Sequence, residues 1–161
     1  MGKYYKIVTT NSFFTHLNKG INPLDIPYGA IFTAPKTTPY TTYCTDCLIK
    51  DALFHFAEGV FDTMLWHTML TNRGYDYEIY EIQPLSDVIK QRCDDGFGFY
   101  QCGANKIKFL DKQDINKMYD IAVKEYNENQ NKYENFKISV DDWKKHQPIV
   151  FALEKFYYQY R

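Results

Sequence analysis

The hydrophobic periodicity of this chain changes roughly two thirds of the way along its length. Up to residue 110, short runs of aromatic and β-branched residues alternate with Pro- and Gly-rich turns, which is the pattern of β-strands. The strand-like runs are KYYKIVTT (3–10), AIFTA (30–34), YEIYEI (77–82) and NKIKFL (105–110). From residue 111 onward, apolar residues recur instead at helical spacing: Ile115, Met118, Tyr119, Ala122, Val123 and Tyr126.

Strands followed by helices predict an α+β fold, with a mostly antiparallel sheet and helices packed on one face of it. A length of 161 residues suits a single domain, with a sheet-rich part at 1–110 and a helical part at 111–161. Helices are predicted at 60–71, 112–127 and 139–159, so the C-terminal third is helical.

Four shorter segments carry local signals. LIKDALFHFAEG (48–59) fits either a strand or a helix, and DVIKQ (87–91) fits a short strand or a turn. DDGFG (94–98) is typical of a hairpin turn. Ser139 and Asp142 resemble a capping box at a helix start, with Asp in place of the usual Glu.

Charge and hydropathy exclude several classes of protein. The formal net charge is -1, whereas nucleic-acid binders need clustered excess Lys and Arg, so a nucleic-acid partner is not expected. No run of 18 apolar residues predicts a membrane span, and the N-terminal residues lack the apolar region of a signal peptide. The cytoplasm is the expected compartment.

Four cysteines are the candidate metal ligands. Cys44 and Cys47 form a Cys-x-x-Cys pair that can hold zinc from a turn, and Cys93 and Cys102 supply the count of four. Eight residues separate Cys93 from Cys102, so this pair does not form a second Cys-x-x-Cys motif. A zinc site therefore requires the fold to bring both pairs together. The favoured interpretation is four reduced cysteines, partly buried, that behave as small hydrophobic residues.

Histidine and glutamate supply the candidates for acid–base chemistry. If residues 53–58 form a strand, His55 lies on the face opposite Phe54 and Phe56, and Glu58 follows at the turn as a possible carboxylate partner. The alternative is a hydrogen-bonded structural histidine. His67, near the end of a predicted helix, is expected to border solvent.

Tyrosine is the most abundant aromatic residue, with 15 copies. Tyrosine is enriched in binding surfaces because it offers a large ring with a hydroxyl at its edge. Tyr40, Tyr43 and Tyr100 are therefore candidate contacts for a protein partner. A general compositional bias is the alternative explanation for the same count.

The order ALFHFAEG, YEIYEIQPL, DDG and CGANKIKFL resembles a pattern in small uncharacterised proteins of phages and prophages. The resemblance covers roughly residues 47–110 of this chain. Ala52, Ala57 and Ser86 stand where that pattern has Gly, Cys and Gly. It implies a small accessory protein that binds and inhibits a host protein, such as a component of host defence.

A more distant similarity is to compact ADP-ribosyltransferase-like domains, which have a tyrosine-containing first strand and an aromatic-acidic strand like YEIYEI. The resemblance implies NAD as the cofactor, with Thr33 lining the nicotinamide pocket. It also implies that Glu78 or Glu81 orients the nucleophile, and His55 completes the candidate catalytic set. Residues 4–7 contain no Arg or His, where that family holds the dinucleotide.

Overall fold

The computed structural model describes six stretches of the chain: residues 2–9, 21–34, 54–71, 76–92, 100–130 and 139–145. Within these stretches, seven strands form one sheet: β1 (Tyr4–Thr9), β2 (Ile31–Thr33), β3 (Phe54–Glu58), β4 (Tyr77–Pro84), β5 (Ile89–Arg92), β6 (Tyr100–Ala104) and β7 (Lys106–Lys112). Their spatial order is β2-β7-β4-β1-β3-β6-β5, and every neighbouring pair is antiparallel.

Three helices lie within the described residues: α1 (Val60–Thr71), α2 (Ile115–Gln130) and α3 (Val140–Lys145). The predicted capping box forms at the start of α3. The backbone N–H of Asp142 donates to Ser139 Oγ at 3.1 Å, and the N–H of Ser139 donates to Asp142 Oδ2 at 3.0 Å. Among these helices, none combines the length and apolarity that crossing a membrane requires.

Strand alternation gives the sheet two differently covered faces. On the helical face, Tyr5 and Ile79 share one core with a buried residue from each helix. These residues are Leu65 of α1, Met118 of α2 and the fully buried Trp143 of α3. On the opposite face, a second core contains these buried side chains: Val8, Ile26, Phe54, Phe56, Tyr80, Ile82, Cys102, Ala104, Ile107 and Phe109. The predicted α+β class, with an antiparallel sheet and helices packed against it, is confirmed.

Within the described residues, each of the two ambiguous segments contains a strand. Residues 54–58 form β3 in the middle of the sheet, and residues 89–92 form β5 at one edge. No strand is predicted from the sequence at β6, which contains Gly103, a residue type that is depleted in strands. Its place between β3 and β5 comes from non-local pairing, with Gly103 opposite both His55 and Ile89. The 94–98 hairpin prediction lies outside the described residues.

Candidate functional site

The three catalytic candidates lie on the same side of the sheet but at separate places. Glu81 of β4 and Ala57 of β3 both pair with Tyr5, and His55 lies two residues beyond Ala57. Glu81 and His55 therefore lie two strands apart and are offset by two residues along the strands, which places them roughly 12 Å from each other. Thr33 is exposed on β2, which lies two strands from β4 in the direction away from β3. The same geometry places Thr33 roughly 16 Å from Glu81.

Each of the two central candidates already has a defined environment. Glu81 forms an ion pair with Lys3 at 3.4 Å. Burial, and secondarily the charge of Lys6, lowers the pKa of His55 from 6.5 to about 4, so its imidazole is neutral at physiological pH. The possible pair of His55 with Glu58 does not form, since residues three apart on a strand point to opposite faces. Glu58 instead contacts Lys90 at 3.5 Å.

Cys102 is the only cysteine within the described residues. It is a free thiol, 1% exposed in the second core, and burial raises its pKa from 9.0 to about 12. A zinc ligand has to be a thiolate, which this environment disfavours. Within the described ranges, no group of three or more potential ligands is placed to hold a metal ion. Cys44, Cys47 and Cys93 lie outside those ranges.

Most of the tyrosines that the structure describes serve the core. Of eight described tyrosines, four are buried, three are half-buried, and Tyr28 alone is exposed, at 67%. Tyr100 is half-buried on β6, with the Lys90 ammonium 5.0 Å from its ring centre. Tyr40 and Tyr43 lie outside the described residues. Tyr28 was missed because its exposure depends on the turn that carries it.

That turn consists of residues 27–30 and is closed by the Ala30 N–H, which donates to the Pro27 carbonyl at 3.2 Å. Gly29 has a φ of 88°, which suits the third position of a type II turn and is unfavourable for other residues. Tyr28 therefore projects from the tip of the turn, and the chain then enters β2 directly.

His67 is buried, so the expectation that it borders solvent is wrong. Its Nδ1 lies 2.8 Å from the Tyr119 hydroxyl, which lies 3.0 Å from Thr68 Oγ1. Thr68 donates to the Met64 carbonyl at 2.9 Å and accepts from Trp143 Nε1 at 3.1 Å. Because the Thr68 proton is already used, Tyr119 donates to Thr68 and His67 donates from Nδ1. This network joins the three helices and has a structural role.

Lys6 is a buried cation that the sequence did not single out. It is 9% exposed, and its Nζ donates to the His55 carbonyl oxygen at 2.8 Å. No carboxylate of the described residues pairs with it, and burial lowers its pKa from 10.5 to about 8. The signal was a charged residue between Tyr4 and Val8, on the apolar side of β1.

The outer edge of β2 is a candidate binding site. Hydrogen bonds from the Phe109 N–H to the Ala30 oxygen and from the Ala34 N–H to the Asn105 oxygen, both 2.8 Å, fix the ladder between β2 and β7. Because antiparallel bonds alternate along a strand, the N–H and C=O groups of Ile31 and Thr33 point away from β7. They have no strand partner among the described residues.

The sheet beside this edge is not covered by the described helices. We call this area the uncovered sheet surface, and it is made of Ile31, Thr33, Gln83, Leu85, Lys106 and Lys108. Ile31 is 52% exposed and Leu85 is 39% exposed. Lys108 pairs with Ile31 and Lys106 pairs with Thr33, so both lysine side chains lie next to β2. Neither lysine forms an ion pair with any part of the chain that the structure describes.

Comparisons with protein-family models, with curated proteins and with solved structures found no match for this chain. Among the described residues, the outer edge of β2 has no strand partner, Ile31 is exposed, and Lys106 and Lys108 have no ion-pair partner, so this part of the sheet offers contacts to an extended chain.

Proposed function

We propose that this protein acts in the cytoplasm as a small phage-type accessory protein that binds a host or phage protein and thereby inhibits a component of host defence. The observation that carries the binding proposal is the edge of β2, where backbone groups without a strand partner in the described part of the chain lie beside exposed apolar side chains. The defence-related target is the implication of the phage-protein resemblance.

An open edge supports partner binding because an extended segment can add to it as one more strand. The added strand gains main-chain hydrogen bonds, and its side chains meet the residues on either face of the edge. At β2 those contacts include Ile31 and, at the preceding turn, Tyr28, which are 52% and 67% exposed. Aromatic and aliphatic side chains that become buried in an interface contribute much of its affinity.

The ADP-ribosyltransferase-like alternative draws no comparable support. A shared NAD site would require Thr33, His55 and Glu81 to converge on one substrate, and they are spread over the sheet. A Glu81→Gln variant separates the two ideas in any activity assay. The binding proposal expects that variant to retain full activity.

The functional test is a plating assay. Bacterial strains that each carry one defence system are given the full chain, and phage plating is compared with and without it. The proposal expects plating to recover in at least one defended strain, and the purified defence protein of that strain to bind the chain. If no defended strain becomes sensitive, the inhibitory function is refuted.

Two isoleucines provide a matched pair of variants for the binding surface. Ile31→Asp places a charge on the β2 edge, whereas Ile121→Asp places the same charge on α2, where the isoleucine is 51% exposed. We expect Ile31→Asp to abolish the rescue and to weaken binding about tenfold or more, as loss of a central apolar contact does. Ile121→Asp should behave like wild type. Equal loss in both variants would contradict the assigned surface.

A further inference from the structure

We infer that the segment recognised by this edge is an extended, acidic strand of the partner protein, which pairs with β2 and places its carboxylates against Lys106 and Lys108. This inference rests on the proposed function, because it assumes that the chain acts by binding a protein. It adds the conformation and the charge of the segment that is bound.

The backbone of β2 sets the conformation of the bound segment. Ile31 and Thr33 each offer one N–H and one C=O at the free edge, spaced as alternate residues of a strand. Only an extended chain matches that spacing, since alternate residues of a strand lie about 7 Å apart. The three residues of β2 span roughly 10 Å, which accommodates a short partner strand.

The lysines set the charge of the bound segment. Lys106 and Lys108 are two residues apart on β7, so both side chains leave the same face of the sheet as Ile31 and Thr33. An added strand would lie on the far side of β2, two strand spacings or about 10 Å from β7. A long glutamate side chain of the added strand can meet Lys106 over the small Thr33, and a second acidic residue two positions along would face Lys108 across Ile31. These two acidic residues would neutralise the charges of Lys106 and Lys108, which have no counter-ion among the described residues.

The opposite edge of the sheet explains why β2 is the docking edge. β5 carries Lys90 and Arg92 within its own four residues, and charged residues on an edge strand discourage pairing with another chain. β2 reads Ile-Phe-Thr and carries no charge. The lysines near β2 belong to the neighbouring strand, where they select a partner without occupying the edge.

A nucleic acid is the other polyanion that these lysines could attract. Single-stranded nucleic acids are held on sheets by successive stacking on aromatic side chains. None of the six residues of the uncovered sheet surface is aromatic, and Tyr28 is the one exposed aromatic side chain among the described residues. A protein segment therefore fits this surface better.

The test selects partners without assuming their identity. A random library of 12-residue peptides is displayed and selected against the full chain, and the recovered peptides are synthesised. We expect acidic residues to be enriched at alternate positions. Binding should slow amide hydrogen exchange at Ile31 and Thr33, as measured by NMR, because these N–H groups gain acceptors.

Charge-reversal variants complete the test. Lys106→Glu with Lys108→Glu should weaken peptide binding about tenfold or more, since like charges then face each other. Lys117→Glu with Lys124→Glu makes the same change in net charge on α2 and should leave affinity unchanged. Thermal unfolding of both double variants confirms that each is folded.

Several outcomes would overturn the inference. They are a selection that yields no peptide, peptides without acidic enrichment, protection at a different part of the chain, and equal affinity for both double variants. Binding of an oligothymidine strand that is lost in the Lys106/Lys108 variant would instead assign the surface to nucleic acid. If rescue in the plating assay still depends on Ile31, the proposed function survives these failures. If no strain is rescued but acidic peptides bind as described, only the function is refuted.

Discussion

Replacement of the buried Lys6 by methionine should change how the stability of the protein depends on pH. The ammonium of Lys6 is removed from water and has only one described hydrogen-bond partner, the His55 carbonyl. Its pKa is lowered to about 8, whereas the unfolded chain keeps the ordinary value of 10.5. Between these values the unfolded state binds the proton and the folded state releases it, so stability rises with pH.

The size of this effect follows from the two pKa values. A difference of about 2.5 units corresponds to roughly 3 kcal/mol in the free energy of unfolding. Below pH 8 the folded protein carries the full penalty of a buried charge, and above pH 10.5 the penalty is gone. Relative to Lys6→Met, which has no titrating amine, the wild-type protein should therefore gain roughly 3 kcal/mol between pH 7 and pH 10.5.

Urea unfolding at a series of pH values measures this difference directly. Several core tyrosines have raised pKa values, mainly through burial, and they also titrate in alkaline solution. Their contribution is common to both proteins and cancels in the comparison. Lys117→Met is the control, because it removes an exposed amine from α2. If the stability difference between wild type and Lys6→Met stays constant from pH 7 to 10.5, the burial argument is refuted.

Three further measurements test other parts of the structure. Burial and, secondarily, the charge of Lys144 lower the pKa of His67 to about 4, so its neutral form should add roughly 3 kcal/mol to the free energy of unfolding above pH 6.5, and this should be lost as pH falls toward 4. In urea unfolding, the stability of a His67→Gln variant should therefore fall less steeply with acid than that of the wild type. Ser139→Ala removes the side-chain acceptor at the start of α3 and should lower stability by about 1 kcal/mol, whereas an unchanged midpoint would show that the cap contributes nothing. Cys102 should react with a thiol reagent far more slowly in the native protein than in denaturant at the same pH, since burial excludes the reagent and disfavours the thiolate. A fast reaction of the native protein at this residue, located by peptide mapping, would contradict its burial.

Local pattern determined much of the fold. The alternation in NKIKFL placed Ile107 and Phe109 in the core and left Lys106 and Lys108 on the wetter face, as the structure has them. The helical spacing in 115–126 likewise identified the buried face of α2. These inferences succeed because side-chain direction along a strand or helix depends on the local period alone.

The candidate site depended on tertiary structure. The sequence could mark Thr33, His55 and Glu81 by residue type, but only the strand order shows that they lie far apart. The opposite directions of His55 and Glu58 follow once residues 54–58 are known to form a strand. The same order makes β2 an edge and leaves Lys106 and Lys108 beside it. Tertiary packing also buries Lys6 within the sheet and His67 between the helices, although their residue types suggest exposure. Strand order and burial arise from contacts between distant parts of the chain, so no local pattern of residues encodes them. The spacing of apolar residues along each strand and helix, in contrast, can be read from the sequence alone.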